Sequence, residues 1–572
     1  MKKLISYLAL IICVLNTKAQ TTPILAWAKL LSASNGSAGI NATSINVDGS
    51  GNVLTSGTFI QTPDFDPNIG NYTLSAINST DVYISKLDVN GNFVWAKQFI
   101  GSGGLSFCGG ITTDAIGNVY TTGSFAGNVD FDPSSGVNTF STSAPNIPNV
   151  FISKLDAAGN FMWAKQFETN DTGEGYSIKV DNSGNVYCAG YFTGTVDFDP
   201  NAGVFNLSTT ASAAFVVKLD ALGNLLWAKQ FESNVTSANY SMQLDFLNNI
   251  VLCGYFSGTV DFDPSVGVTN LTGGNSFICK LDNTGNLLWV KQFTNSSFYP
   301  ISGNVTTDAS GNVYATGGFT NTEDFDPNIG TYNITSSGNL DGFILKLNAA
   351  GNFIWAKQFS GTDFGWGNNI GIDIVGDVYV SGNFVTSIDL NSSAGSYTIA
   401  NSPSGCNGLF VTKFDELGNF KWGTQLGSYG GSEQIVSIAV DVNKNVYTTA
   451  GWVCDGDFDP GPATYTLTSN YDNGAFVHKM SQALQTEVEN NLIIEDQVTI
   501  YPNPNNGSFT IETTNNTTKL FQIFNVTGAL VFKKNSEGTK NTIDTGDLEA
   551  GVYTIKLSNE LCSLTKKLVI VN

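Results

Sequence analysis

The chain has 572 residues, 48 acids against 26 basic residues and a net charge of −22, and none of the basic residues is an arginine. Without arginine's planar fork or a cationic footprint, nucleic acid and anionic membrane surfaces are excluded as partners. A single histidine, His478, argues against His-rich metal sites and against Ser-His-Asp or Cys-His nucleophiles.

In chain order, residues 1–19 read as a secretory signal. Lys2 and Lys3 precede an apolar run from Leu4 to Leu15, and Thr17-Lys18-Ala19 places cleavage between Ala19 and Gln20. Cys13 lies inside the apolar run and is a poor lipoprotein site. No later segment is long and apolar enough to cross a bilayer, so an exported protein without a transmembrane segment is expected. Removing the signal takes three lysines and no acid, which lowers the charge to −25.

The strand Phe93-Val94-Trp95-Ala96-Lys97-Gln98-Phe99 then recurs around Trp27, Trp163, Trp227, Trp289, Trp355 and Trp422, at spacings of 62 to 68 residues. A period of this length is the signature of a repeat architecture. Each period holds two turn signals. Asp181-Asn182-Ser183-Gly184-Asn185 recurs from Asp48, Asp114 and Asp308, with weaker forms from Asp245, Asp373 and Asp441. Asp88-Val89-Asn90-Gly91-Asn92 recurs from Asp156, Asp220, Asp282, Asn348 and Asp415. An Asp that bonds the backbone two residues on, followed by a left-handed Gly, closes a tight hairpin.

One unit reads as four strands: Ser177 to Val180, Val186 to Phe192, Ala214 to Leu219, then the tryptophan strand. Four-stranded antiparallel units in tandem predict a β-propeller. There are seven tryptophan strands and seven first-type hairpins, but six of the second type. The last unit stops at Phe476 to Met480, and the first tryptophan strand, Ile24 to Lys29, has no unit before it. The chain is therefore expected to be all-β, with residues 20–480 forming a seven-bladed propeller of four-stranded blades in which the N-terminal strand closes the last blade. Both tight hairpins of each blade then fall on one face and the long connections on the other. Lysines recur at two strand positions, as Lys97 and Lys86, and read as solvated residues with packed stems.

With Gly-Asn-Val-Tyr, Lys-Leu-Asp-x-x-Gly-Asn and the tryptophan strand in view, residues 21 to about 480 resemble bacterial SBBP-type β-propeller repeats, and the hairpins are also similar to those of NHL-type propellers. The sixth unit departs, with Ile388-Asp389-Leu390-Asn391 in place of Val-Asp-Phe-Asp-Pro. Residues 481–498 read as a polar linker. Residues 499–572 carry Tyr501-Pro502-Asn503-Pro504, Gly507, Phe524-Asn525-Val526-Thr527-Gly528 and Leu548 to Tyr553, in short strands that predict a small Ig-like β-sandwich. This order of motifs closely resembles the C-terminal sorting domain of the bacterial type IX secretion system. The resemblance implies the type IX machinery as partner and delivery to the outer-membrane surface or the medium.

Seven cysteines remain after signal cleavage, without metal-ligand spacing. Cys188, Cys253 and Cys279 replace Thr, Ala or Ser of other repeats, so mostly free thiols are expected. Six DFDP pairs stand out: Asp64 and Asp66, Asp130 and Asp132, Asp197 and Asp199, Asp261 and Asp263, Asp324 and Asp326, and Asp457 and Asp459. Acids two apart on an extended segment face one side and suit part of a calcium shell; the plainer reading has the Phe packed and the acids capping turns. Calcium is the one ion considered, and no motif specifies another cofactor. Function is sought where the repeat fails: Trp366 and Trp452 as candidate sugar platforms on the ligand face, the acids Asp171 and Glu174, and the insertions Thr139 to Asn149 and Ser396 to Asn407. No catalytic residue is named. A non-catalytic binding or adhesion scaffold for a glycan or protein, working through the long-loop face, is the reading adopted; the alternative is a secreted propeller enzyme acting on polysaccharide.

Overall fold

Alternating Val, Ile, Tyr and Phe, punctuated by Asp-x-x-Gly-Asn turns, dictates short strands. The computed structural model describes residues 23–571 apart from 32–38, 78–79, 102–105, 294–302, 393–394, 402–405, 430–435, 452, 455, 469–473, 483–498, 513–518, 526–528, 537, 547 and 559–562; among the described residues there are strands and no helix. The chain divides into two compact units, one ending at Gln482 and one beginning at Ala483.

In the first unit, Gly39–Val47, Val53–Ile60, Asp81–Leu87 and Phe93–Gly101 pair antiparallel in that order. The same four-strand order recurs from Ser106, Gly173, Thr236, Val305 and Gly365. The last group, Ser437–Val440, Val446–Ala450 and Ala475–Gln482, takes its fourth strand from the other end of the chain: Pro23–Leu31 pairs with Ala475–Gln482 from Pro23↔Gln482 to Leu31↔Ala475. The seven first-type and six second-type hairpins close as their sequence predicts. Asp181 Oδ1, for example, accepts the N–H groups of Ser183 and Asn185, both at 2.9 Å, and Gly184 has φ +81°. Where the glycine is missing, Asn248 and Lys444 take the left-handed position, with φ of 61° and 65°.

Between neighbouring units the core is aromatic. Phe65, Phe131, Phe198, Phe262, Phe325 and Phe458 of the DFDP segments are buried. Each ring packs 4.7–5.0 Å from the third-strand aromatic of its own unit: Tyr83, Phe151, Phe215, Phe277, Phe343 or Phe476. In the sixth unit buried Leu390 takes the place of the Phe.

The third-strand lysines correct the expectation of solvated residues. Lys86, Lys154, Lys280, Lys346, Lys413 and Lys479 are buried, and each reaches the following unit. Lys86 donates to Ala157 O, Lys154 to Ala221 O, Lys346 to Glu416 O, and Lys479 of the last unit to Val89 O of the first. The same four carbonyls accept the indole N–H of Trp95, Trp163, Trp355 and Trp27, at 3.1–3.4 Å. Inside its own unit the lysine is held by a tyrosine ring, by a hairpin carboxylate or, for Lys413, by both, 4.8 Å from the Tyr379 ring and 2.8 Å from Asp377. Where the second strand carries a tyrosine, the ammonium sits over the ring, as Lys154 does 4.9 Å from Tyr120, whose hydroxyl donates to Asp114. Where that residue is Leu54 or Val251, the ammonium meets the hairpin carboxylate directly: Lys86–Asp48 at 2.9 Å and Lys280–Asp245 at 2.8 Å. Burial pushes Asp48 up, but hydrogen bonds from Asn52 and Lys86 outweigh it and hold the carboxyl below its ordinary value of 3.8.

Cysteine use is mixed. Cys108, Cys188, Cys253 and Cys279 are buried free thiols, and burial pushes the first three up to about 12. Cys406, in the Ser396 to Asn407 insertion, is disulfide-bonded to Cys454, a pairing that the repeat pattern does not announce.

The second compact unit has two antiparallel sheets. Thr499–Tyr501, Ser508–Glu512 and Lys540–Asp544 form one; Leu530–Ser536, Lys519–Phe524, Gly551–Ser558 and Ser563–Ile570 form the other. Phe509, Ile511, Phe521, Ile523, Ile543, Ile555, Leu557 and Leu568 make their common core.

Two outcomes follow from this packing. Deleting Thr21 to Leu30 leaves Ala475–Gln482 an open edge and lowers the melting midpoint of the whole repeat unit; an unchanged midpoint in thermal denaturation contradicts the pairing. Lys86→Met strands a buried carboxylate and costs about 3–5 kcal/mol, whereas Lys154→Met removes a cation–ring contact at about 0.5–2 kcal/mol. Because the folded Asp48 carboxyl is depressed, its contribution is present above pH 3.8 and is lost as pH falls through the folded value, so the gap between K86M and wild type narrows in acid. Denaturant melts at neutral and acid pH test both points, and equal losses in the two variants would refute the distinction.

Candidate functional site

Five of the seven first strands carry an irregularity at one register position among the described residues. The pairing skips a residue between Ala42 and Ser44, Cys108 and Gly110, Gly175 and Ser177, Asn239 and Ser241, and Gly367 and Asn369. A β-bulge re-aims its extra residue, and here Thr43, Gly109, Tyr176 and Asn368 all face one cavity of about 1140 Å³. First-strand residues of every four-stranded group line it, from Thr43–Asn46 to Ser437–Val440.

The position after the bulge ties neighbours together. Ser44 Oγ accepts Ile111 N–H, Ser177 Oγ accepts Met242 N–H and Ser241 Oγ accepts Val305 N–H, at 3.2–3.3 Å. Ser437 of the last group accepts Ile45 N–H of the first in the same way, at 3.3 Å. The bulged residues therefore stand on a hydrogen-bonded belt, while their own identities differ from unit to unit.

Trp366 lies on the cavity wall beside Phe364 and Leu340. Phe107 occupies the same strand position in the second unit, and its ring packs edge-on against Tyr176 at 5.6 Å; Tyr176 in turn stacks on Tyr191 at 5.9 Å. Glu174 accepts the Tyr176 hydroxyl at 2.8 Å, and Asp171 is exposed. Trp452, Ala19 and Gln20 lie outside the described residues. His478 is buried, with Nε2 3.0 Å from Phe458 O, and burial pushes it down to about 4, so it is a neutral core residue at physiological pH.

The paired acids lie in the connecting loops, not at the cavity. Asp64 Oδ1 accepts Asp66 N–H and Tyr72 N–H, at 3.0 and 2.8 Å. Asp130, Asp197, Asp261, Asp324 and Asp457 repeat this two-pronged cap, each bonding the acid two residues on and the residue eight on. The second acids, Asp66, Asp132, Asp199, Asp263, Asp326 and Asp459, each accept the N–H two residues further on. Among the described residues no three His, Cys, Asp or Glu side chains converge as a metal site.

The tertiary signal that composition missed is the ring of positions around the cavity. It was open to comparison, since aligning the seven turns fixes which residue of each first strand stands where.

Comparison with known proteins follows this division of the chain. An uncharacterized WD repeat-containing protein of Acanthamoeba polyphaga mimivirus is 26% identical over 461 residues, 69% of this chain and 32% of the relative, so the chain spans about a third of that relative's length. Among solved structures, a fungal alcohol oxidase aligns over 96% of this chain and 98% of its own at 13% identity and a TM-score of 0.32. An ulvan-specific polysaccharide lyase aligns over 75% and 95% at 9% identity and a TM-score of 0.35. Scores this low carry no argument about activity. Residues 94–124 match the β-propeller repeat model, and residues 499–571 match the secretion system C-terminal sorting domain. The chain thus carries a β-propeller repeat and a type IX sorting domain, which directs it to the cell surface or the extracellular space through the secretion machinery.

Proposed function

We propose that residues 20–482 form a closed seven-bladed propeller, joined by a linker over residues 483–498 to the sorting domain, and that it acts outside the cell as a non-catalytic binding or adhesion scaffold. Closure is supported by three bonds between last and first groups that copy those between sequence neighbours: Trp27 and Lys479 to Val89 O, and Ile45 N–H to Ser437. The observation that carries the binding reading is the bulge. It presents Thr43, Gly109, Tyr176 and Asn368 to one cavity from a rigid, repeated backbone, and a rigid scaffold that displays variable side chains is how binding surfaces are built. Tyr176, Phe107 and Trp366 supply flat apolar faces suited to sugar rings.

A glycan array and a hydrolysis screen on the chain lacking its tail, each run with and without calcium, test this reading. Binding without turnover is expected; product formation that disappears on Glu174→Gln would favour the polysaccharide enzyme instead. Deleting Thr499 to Asn572 in the native host is expected to hold the protein in the periplasm, as read by cell fractionation, and undiminished surface delivery would contradict the role of the tail.

A further inference from the structure

Two residues before each first-type hairpin aspartate stands a first-strand residue: Asn46, Thr112, Lys179, Gln243, Thr306, Gly371 and Ala439. Six are uncharged. Lys179 is the one charged residue among the described residues that line the cavity, in a chain whose net charge is −22. It is half-buried, and its ammonium has no ion pair or hydrogen bond among the described residues. The contrast with the first unit explains why. There Asn46 Oδ1 accepts the hydroxyl of Thr113 at 3.0 Å. The residue corresponding to Thr113 in the unit after Lys179 is Leu244, which has no polar side-chain atom.

The third-strand lysines each bond a main-chain or side-chain oxygen of the following unit; this one bonds none. Burial pushes the Lys179 amine down to about 8, which leaves it a cation at neutral pH. An ammonium removed from water without a partner is unfavourable unless something supplies the opposite charge. Asn368 of the sixth unit lines the same cavity. Tyr176 lies three residues along the strand from Lys179, about 10 Å at 3.3 Å per residue, so an aromatic face and a cation are set a short oligosaccharide apart. The acidic exterior does not cancel this site, because fields from exposed charges fade beyond about 8 Å at physiological salt.

We propose that the cavity binds a carboxylate-bearing saccharide, with Lys179 meeting the carboxylate and Tyr176 covering a ring face. This rests on the scaffold reading and gives it a ligand class. Calorimetric titration of the full chain with galacturonate, trigalacturonate and trigalacturonate methyl ester tests it, using wild type, Lys179→Met and Lys179→Arg, each checked for an unchanged melt. Trigalacturonate is expected to bind wild type, to weaken at least about tenfold in K179M, or about 1.4 kcal/mol, and to hold within a few-fold in K179R. The methyl ester should bind wild type no better than the acid binds K179M. Galacturonate binding as tightly as the trimer would support the carboxylate contact and overturn the saccharide extension. Equal affinity for acid and ester, an unaffected K179M, or no binding of either acid at millimolar concentration overturns the proposal. A neutral glycan bound on the array independently of Lys179 overturns this inference alone, whereas release of shorter products overturns the scaffold reading and leaves the carboxylate contact standing.

Discussion

The structure depends on a shared carbonyl. In four places one main-chain oxygen of a second-type hairpin, at Val89, Ala157, Ala221 or Glu416, accepts both a tryptophan N–H and a lysine ammonium from the unit before it. A neutral and a charged donor on one acceptor fix the hairpin's position in two directions, and the charged bond is the stronger. This explains why Trp and Lys recur together. The tryptophan strand is a fastener whose target lies in the neighbouring unit. The seam shows the rule by exception. Trp422 would need a second-type hairpin in the last group, which has none because its fourth strand comes from the N-terminus. Its buried indole N–H accordingly has no acceptor among the described residues, and Lys413 turns to the side chain of Gln482.

The DFDP segment solves a different problem, that of a long loop leaving a sheet. Its Phe is buried against a third-strand aromatic, and its first Asp gathers the backbone N–H groups two and eight residues on, so the loop closes on itself around an apolar anchor. One residue type packs and the other caps, as the plainer sequence reading had it. The repetition of these acids reflects the repetition of the loop.

Against this uniform frame the cavity is where the units differ. The bulge sits at one register position, a serine after it ties adjacent units at Ser44, Ser177 and Ser241, and the bulged residue differs from unit to unit. Variation there does not disturb the belt, because the belt uses the next residue. Lys179 belongs to the same logic. It occupies a position that is uncharged in the other units, and it is the residue whose charge the scaffold does not answer.

Much of this was legible in the chain. Turn chemistry is local, so Asp-x-x-Gly-Asn specified both hairpins and, with the spacing of the tryptophans, the four-strand unit and the partnership of the strand at Trp27 with the end of the repeat. The motifs around Tyr501, Gly507 and Leu548 marked the sorting domain. What the sequence could not state was which unlike positions meet across units. The lysine at 86 looks solvated on its own strand because its partners, Asp48 and Ala157 O, lie on another strand and in another unit. Cys406 and Cys454 are 48 residues apart and belong to different units of the repeat. Tyr176, Asn368 and Lys179 look like ordinary strand residues until the bulges turn the first strands toward one cavity. Periodicity and turns are properties of neighbours along the chain; a cavity is a property of residues brought together by packing, and only the tertiary structure decides its walls.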